Sequence, residues 1–284
     1  MGDRSNLLRR WRPGLDLRPL AATYRNAMKL RSLPSTFESD GSVSSRQHFS
    51  CFIIDGCVAI DAGTLANAVT SDERGQIRDV VLTHAHLDHI AGLPLFIDDL
   101  FPILTEPVRV HATQEVIDVL ETHIFNWSVY PRFSELKNRY GGVITYREIR
   151  HQEEFEVRHL RMRSVAVNHR VPSCGFLIRD DQTTIAITGD TAEMDLFWDT
   201  VNSLENLDAL LIECAFPNDF EELSTISHHL TPSKLERELE KLELPCPVFV
   251  INIKPSHIEA VSSQLAALGR QDLQILEVGR EYTF

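Results

Sequence analysis

The chain has 284 residues, with 41 acidic side chains against 28 basic ones and a formal charge of −13 when histidine is neutral. Nucleic-acid binders usually present a basic face, so this balance argues against tRNA or DNA as the main partner. The length suits one α/β domain with a single large core, and no uncharged apolar run reaches the roughly 20 residues needed to span a bilayer.

Residues 1–27 carry Arg4, Arg9, Arg10, Arg12, Arg18 and Arg25 among scattered leucines and Trp11, without the apolar core of a secretion signal. They read as an N-terminal extension to a domain covering 28–284, whose first strand starts near Met28. A polar loop over 35–47 leads to two short strands, 51–55 and 57–60, forming a hairpin about Gly56. Asp61 follows the second strand, where it either orients a metal-binding histidine or caps the next helix.

The apolar run Val80-Val81-Leu82 then opens into Thr83-His84-Ala85-His86-Leu87-Asp88-His89. This reads as a buried strand ending in a turn and a helix. In an extended segment His84 and His86 project to the same side, while Asp88 and His89, past the turn, can point back at a second position. Imidazole and carboxylate at this density are what a zinc-type cation requires, and two metals a few Å apart need about this many ligands.

A strand over 108–111 and a helix over 113–125 follow, the helix with Val116, Ile117, Leu120 and Ile124 at helical spacing. Its tail enters His123-Ile-Phe-Asn126-Trp127-Ser-Val-Tyr130-Pro131. That segment is either a wall beside the metals, with Trp127 or Tyr130 on a planar ligand group, or an aromatic cluster sealing a loop.

The second half supplies strands at 160–167, 174–178, 184–188, 209–212 and 248–253, with His169, Gly189-Asp190-Thr191 and His257 where strands run out. Gly189 permits a tight turn, so Asp190 can approach a metal pair and bridge it. Next, His228-His229-Leu-Thr-Pro232 precedes a helix over 232–242, with Thr231 as cap, Pro232 in the first turn and Leu235, Leu239 and Leu242 as the inner stripe. A last helix over 259–268 and a strand over 273–278 read as structural. The five cysteines lack C-x-x-C spacing and read as reduced, mostly structural thiols of a cytoplasmic protein.

The motif over 83–89, with His169, Gly189-Asp190-Thr191 and His257 in order, resembles the metallo-β-lactamase superfamily. More narrowly, the chain resembles the class II 3′,5′-cyclic nucleotide phosphodiesterases. The resemblance rests on His84-Ala-His-Leu-Asp-His-Ile-Ala-Gly-Leu93, the His123-Ile-Phe-Asn126 loop, Ile212-Glu-Cys-Ala-Phe-Pro-Asn218, His229-Leu-Thr-Pro232 and Ile253-Lys-Pro-Ser-His257. Two features depart from that family: Leu95-Phe-Ile-Asp-Asp99 replaces its usual serine-proline stretch, and His228 stands where glycine is common.

The resemblance implies a single-domain α/β fold, the four-layer αβ/βα sandwich, with metals at one sheet edge. It also implies two divalent ions, zinc first among them. His84, His86 and His169 would hold one ion, Asp88, His89 and His257 the other, with Asp190 shared. A hydroxide between the ions would attack the cyclic diester of cAMP or cGMP and yield a nucleoside 5′-monophosphate. Asp88 and Asp190 then belong to the catalytic set, with His229 as proton donor or phosphoryl contact and His123 and Asn126 as substrate contacts. The partner is a small-molecule cyclic nucleotide, with no nucleic acid or membrane, and a homodimer is left open. The same ligand pattern also serves a tRNA 3′-end endonuclease or a hydrolase of lactones, β-lactams or thioesters, and a metal-stabilised sensor is the non-enzymatic option.

Overall fold

Alternating buried strands and helices resolve into two seven-stranded sheets in a computed structural model that describes residues 27–284. The expected extension over 1–27 therefore lies, but for its last residue, outside the described residues. The first half contains β1 (Lys29–Ser32), β2 (Phe52–Ile54), β3 (Val58–Ile60), α1 (Leu65–Ala68), α2 (Ser71–Gln76), β4 (Asp79–Val81), α3 (Leu87–Ile90), α4 (Gly92–Leu100), β5 (Val108–Ala112) and α5 (Gln114–Val119). After these come β6 (Lys137–Asn138), β7 (Gly141–Gly142), β8 (Ile144–Glu148), β9 (Glu154–Val157), β10 (Leu160–Ala166), β11 (Cys174–Arg179) and β12 (Thr184–Ile187). The remainder is α6 (Leu196–Asn202), β13 (Ala209–Glu213), α7 (Glu221–Ser227), α8 (Pro232–Leu239), β14 (Val248–Ile251), α9 (Ile258–Ala267), β15 (Leu273–Ile275) and β16 (Glu281–Thr283).

The first sheet runs β16-β1-β2-β3-β4-β5-β8 and the second β15-β14-β13-β12-β11-β10-β9, with β6 and β7 as a separate small ribbon. Asp55 (φ 48°) and Gly56 (φ 66°) both take the left-handed conformation in the three-residue turn that joins β2 to β3. Continuous apolar runs arise because the central strands are buried on both faces. Along β4, Val81 points between the sheets with Ile60, Phe176, Ile187 and Phe249. Its neighbour Val80 faces the other way, against Leu65, Leu93 and Phe96 of α1 and α4. On the far side, Phe197, Trp198, Leu235 and Val261 from α6, α8 and α9 cover Leu210, Ile212 and Val250. The result is the expected helix-sheet-sheet-helix order.

Several boundaries differ from the sequence reading. The helix after β5 ends at Val119, and Leu120–Ile124 continues as a wider π-helical turn. β14 stops at Ile251 because Asn252 (φ 56°) leaves the extended conformation. Strands β8, β9 and β16 escaped notice because they mix exposed charged residues with few apolar ones.

Position follows from topology. Strands β3, β4, β5 and β8 are parallel, as are β12 to β15, and β10 runs antiparallel to β11, which runs antiparallel to β12. Segments leaving β4, β10, β12, β13 and β14 therefore emerge at one end of the sandwich. There Cys174 N–H donates to the Thr83 carbonyl at 3.0 Å, joining the two sheets.

Candidate metal centre

The segments leaving β4, β10 and β12 bring their polar side chains into one cluster, with His229 beside them. His84 is fully buried just past β4, and His86 ends the extended stretch as the residue capping α3. Beyond β10, His169 brings its Nε2 to 3.1 Å from His86 Nδ1. Potential ligand atoms fall into three groups, each within 4.8 Å: His84, His86 and His169; His84, His89 and Asp190; and His169, Asp190 and His229. Gly189 takes φ 64°, giving the tight turn that brings Asp190 in.

The hydrogen bonds around the cluster fix which nitrogens face inward. Asp61 accepts from Thr83 N–H at 2.9 Å and from the Thr83 hydroxyl at 3.0 Å, and that hydroxyl lies 3.0 Å from His84 Nδ1. Since the hydroxyl proton goes to Asp61, its oxygen accepts from His84 Nδ1–H, which leaves a bare lone pair on Nε2. The other Asp61 oxygen lies 2.6 Å from His89 Nδ1. Asp61 thus orients two histidines, resolving the earlier choice away from a helix cap. His169 Nδ1–H donates to the His228 carbonyl at 3.0 Å, so its Nε2 is also free of hydrogen. His228 itself has φ 57°, a conformation glycine adopts most easily, and its ring is pinned by Asn168 at 2.9 Å.

Donor chemistry fits a divalent cation. Among the described residues His84 Nε2 is buried without a hydrogen-bond partner, a condition costing about 1–3 kcal/mol that a bound ion removes. Burial also pushes His84 well below the ordinary histidine range and His169 down to about 4, so both imidazoles are neutral and ready to ligate. Burial alone would raise the Asp190 carboxyl, but the facing His89 overrides it and holds the group well below the usual range. Burial likewise disfavours charge on His89, yet the Asp61 and Asp190 carboxylates prevail and raise it.

His229 stands beside the cluster on a buried support. Its Nδ1–H donates to Glu213 Oε1 at 2.7 Å, leaving Nε2 for the cluster side, and its ring centroid lies 5.0 Å from that of His169. Glu213 has no exposed surface and also accepts from the N–H groups of Thr191 at 2.8 Å and Ala215 at 2.9 Å. Burial opposes a charge on His229, but Glu213 outweighs it and raises the imidazole. The cap of α8 is Thr231, so His229 does not serve as one.

The other candidate site residues stand outside the three groups. Asp88 joins none of the three groups, and its Oδ2 lies 3.2 Å from Lys254 Nζ. His257 also stays outside them; its ring packs 4.6 Å from Phe220 and 5.8 Å from Phe216. The reason is direction: the chain turns at Asn252, and His257 follows a further turn at the start of α9. Asn126 spends its side chain closing its own loop, accepting from Ser128 and Val129 N–H and donating to the Thr122 carbonyl. His123 is exposed on the π-helical turn. Tyr130 packs on Phe133 and donates to Asp98, and Trp127 donates to Glu135, which favours the sealed-loop reading of this segment.

Three residues here had no assigned role from sequence: Glu213, Asn252 and Lys254. Glu213 carried a readable signal, a carboxylate ending the apolar run Ala209–Ile212, because a buried charge needs partners. Asn252 donates through Nδ2 to Asp190 Oδ1 at 2.7 Å. With Lys254, Asp88, His89 and Asp190 it lines a cavity of about 140 Å³.

Residues 52–250 match the sequence model of the family described as "Beta-lactamase superfamily domain". A curated relative from Yersinia pestis, named "Probable 3′,5′-cyclic-nucleotide phosphodiesterase", is 29% identical over 208 residues, 64% of this chain and 59% of that protein. The chain thus spans about three fifths of that relative's length. A second, "3′,5′-cyclic-nucleotide phosphodiesterase" from Aliivibrio fischeri, is 24% identical over 225 residues, 66% of each protein. Among solved structures, "unliganded yeast PDE1" superposes with a TM-score of 0.74 at 16% identity, covering 91% of this chain and 100% of that one, a likeness of fold.

Proposed function

The chain belongs to the beta-lactamase superfamily domain family, and from that membership we propose that it hydrolyses 3′,5′-cyclic nucleotides, cAMP or cGMP, to nucleoside 5′-monophosphates. The observation that carries the reading is a cluster of inward-facing imidazoles, His84, His86 and His169, with His229 held beside it by a buried carboxylate. The two relatives named as phosphodiesterases supply the substrate class.

A divalent ion, zinc by the imidazole-rich donor set, would be held by His84, His86 and His169 beside Asp190, and would supply Lewis-acid charge and a lowered water pKa of about 7. The rest falls to the chain. As water adds to phosphorus and the P–O3′ bond breaks, the 3′ oxygen needs a proton. His229 Nε2 faces the cluster and can deliver one from the imidazolium form, which Glu213 favours by accepting from Nδ1–H. General acid help of this kind is worth about a hundredfold to ten-thousandfold. Beside His86, an apolar cleft of about 120 Å³ lined by Ala85, Val116, Val119, Val171 and Pro172 suits a planar base.

A second ion at Asp88, His89 and His257 has less support, since neither Asp88 nor His257 joins a ligand group. All five cysteines are free thiols, which supports a reducing cytoplasmic setting. Among the described residues no helix is long and apolar enough to cross a membrane.

The metal-supplemented protein should be incubated separately with cAMP, cGMP, bis(p-nitrophenyl) phosphate, nitrocefin and a pre-tRNA, with products resolved chromatographically. Nucleoside 5′-monophosphates from the cyclic substrates are expected. Turnover of only nitrocefin or pre-tRNA would overturn the reading.

A further inference from the structure

Two side chains that the mechanism above leaves idle stand over the Asp88 side of the cluster. Lys254 Nζ lies 3.2 Å from Asp88 Oδ2, and the Asn252 amide donates to Asp190 Oδ1 at 2.7 Å. Both line the cavity that also meets His89. A second cation beside His89 would draw its oxygen ligands from these two carboxylates. Here one carboxylate faces an ammonium and the other has an oxygen taken by an amide N–H. An ammonium repels a metal ion, and an amide nitrogen has no lone pair to offer it. His257, which the sequence offered as the further imidazole, is instead packed on Phe220 and Phe216.

Conditions on the other side are the reverse. His84 Nε2 is buried and unpartnered among the described residues, and His86 and His169 turn nitrogens toward each other at 3.1 Å. We propose that the chain retains one divalent cation tightly, at His84, His86 and His169, and that Lys254 supplies the fixed positive charge of the second position while Asn252 caps Asp190. This deepens the metal reading of the imidazole cluster and rests on it. In this arrangement the ammonium faces the same cavity as the cluster, placed to attract a phosphoryl group without a second ion. Asn252 sits at φ 56°, a conformation that asparagine, aspartate and histidine adopt more readily than most side chains. A histidine therefore fits the same backbone, with its ring where the amide now meets Asp190.

Counting metal decides the matter without reference to turnover. The protein would be loaded with excess zinc, freed of loosely held ion by gel filtration, and assayed by inductively coupled plasma mass spectrometry. About one equivalent is expected for the wild type and close to two for Asn252→His combined with Lys254→Met. Two retained equivalents in the wild type, or one in a double variant whose circular dichroism matches the wild type, overturn the proposal and leave the imidazole cluster standing. No retained metal in the wild type overturns both. The wild-type count decides alone if the double variant does not fold.

Discussion

The two ends of β4 both bury polar groups, and they treat them in opposite ways. At its start, Asp79 is buried and paired on every side: Arg109 reaches its oxygens at 2.7 and 2.6 Å, and His111 lies 3.0 Å away. Past its end, His84, His86 and His89 stand with Asp190, and a buried ring nitrogen is left without a partner among the described residues. The first end is a closed polar network, complete within the protein. The second is incomplete by construction, and a buried donor set with open lone pairs calls for a ligand to finish it. Burial of charged groups alone does not mark a functional site; an open valence does.

The sharpest way to break this contrast is Asp190→Ala. It removes the carboxylate common to two of the three ligand groups, so metal retention and cyclic nucleotide hydrolysis should both fall to about 1% or less, on the expectation that losing a ligand costs more than the 10–100-fold of losing its support. Metal analysis and a product assay check it; normal metal content would remove Asp190 from the site. Next in size is His229→Ala, which should keep the metal and lower kcat by about a hundredfold to ten-thousandfold. An unchanged kcat would end its role as proton donor.

The smallest effect belongs to the closed end. Burial would raise the Asp79 carboxyl, but Arg109 and His111 overcome it and hold the group far below the usual carboxylate range. A depressed folded pKa means that Asp79 stabilises the fold fully above about pH 4 and loses that contribution as pH falls further. Hydrogen bonds to a charged group are worth about 1.5–3 kcal/mol, so urea unfolding should show Asp79→Asn with lower stability than the wild type at pH 6 and a narrowing gap below pH 4. A gap that stays constant into acid would contradict the closed-network picture.

Much of the first-half site was legible because chemistry and direction coincide there. His84, His86 and His89 follow a strand whose burial fixes where it points, although Asp88 beside them joins no ligand group. Asp190 was readable for the same reason, since Gly189 announces the turn. His257 shows how type and direction can part: β14 ends at Ile251, two residues before the sequence reading ends the strand, and the chain turns at Asn252. No periodicity announces an asparagine in the left-handed conformation. Asn126 was similarly ambiguous, since an amide that binds a ligand and one that closes a loop look alike until its partners are seen.

The cluster draws His84, His86 and His89 from behind β4 of one sheet and His169 and Asp190 from behind β10 and β12 of the other. An ion seated among them would work as a rivet across the mouth of the sandwich. Chelation would leave every strand ladder intact and yet loosen the two leaves at that rim, where the Cys174–Thr83 amide link and the Lys254–Asp88 contact remain to keep them in step. Holding a cation and holding the halves together would be one and the same act for this molecule.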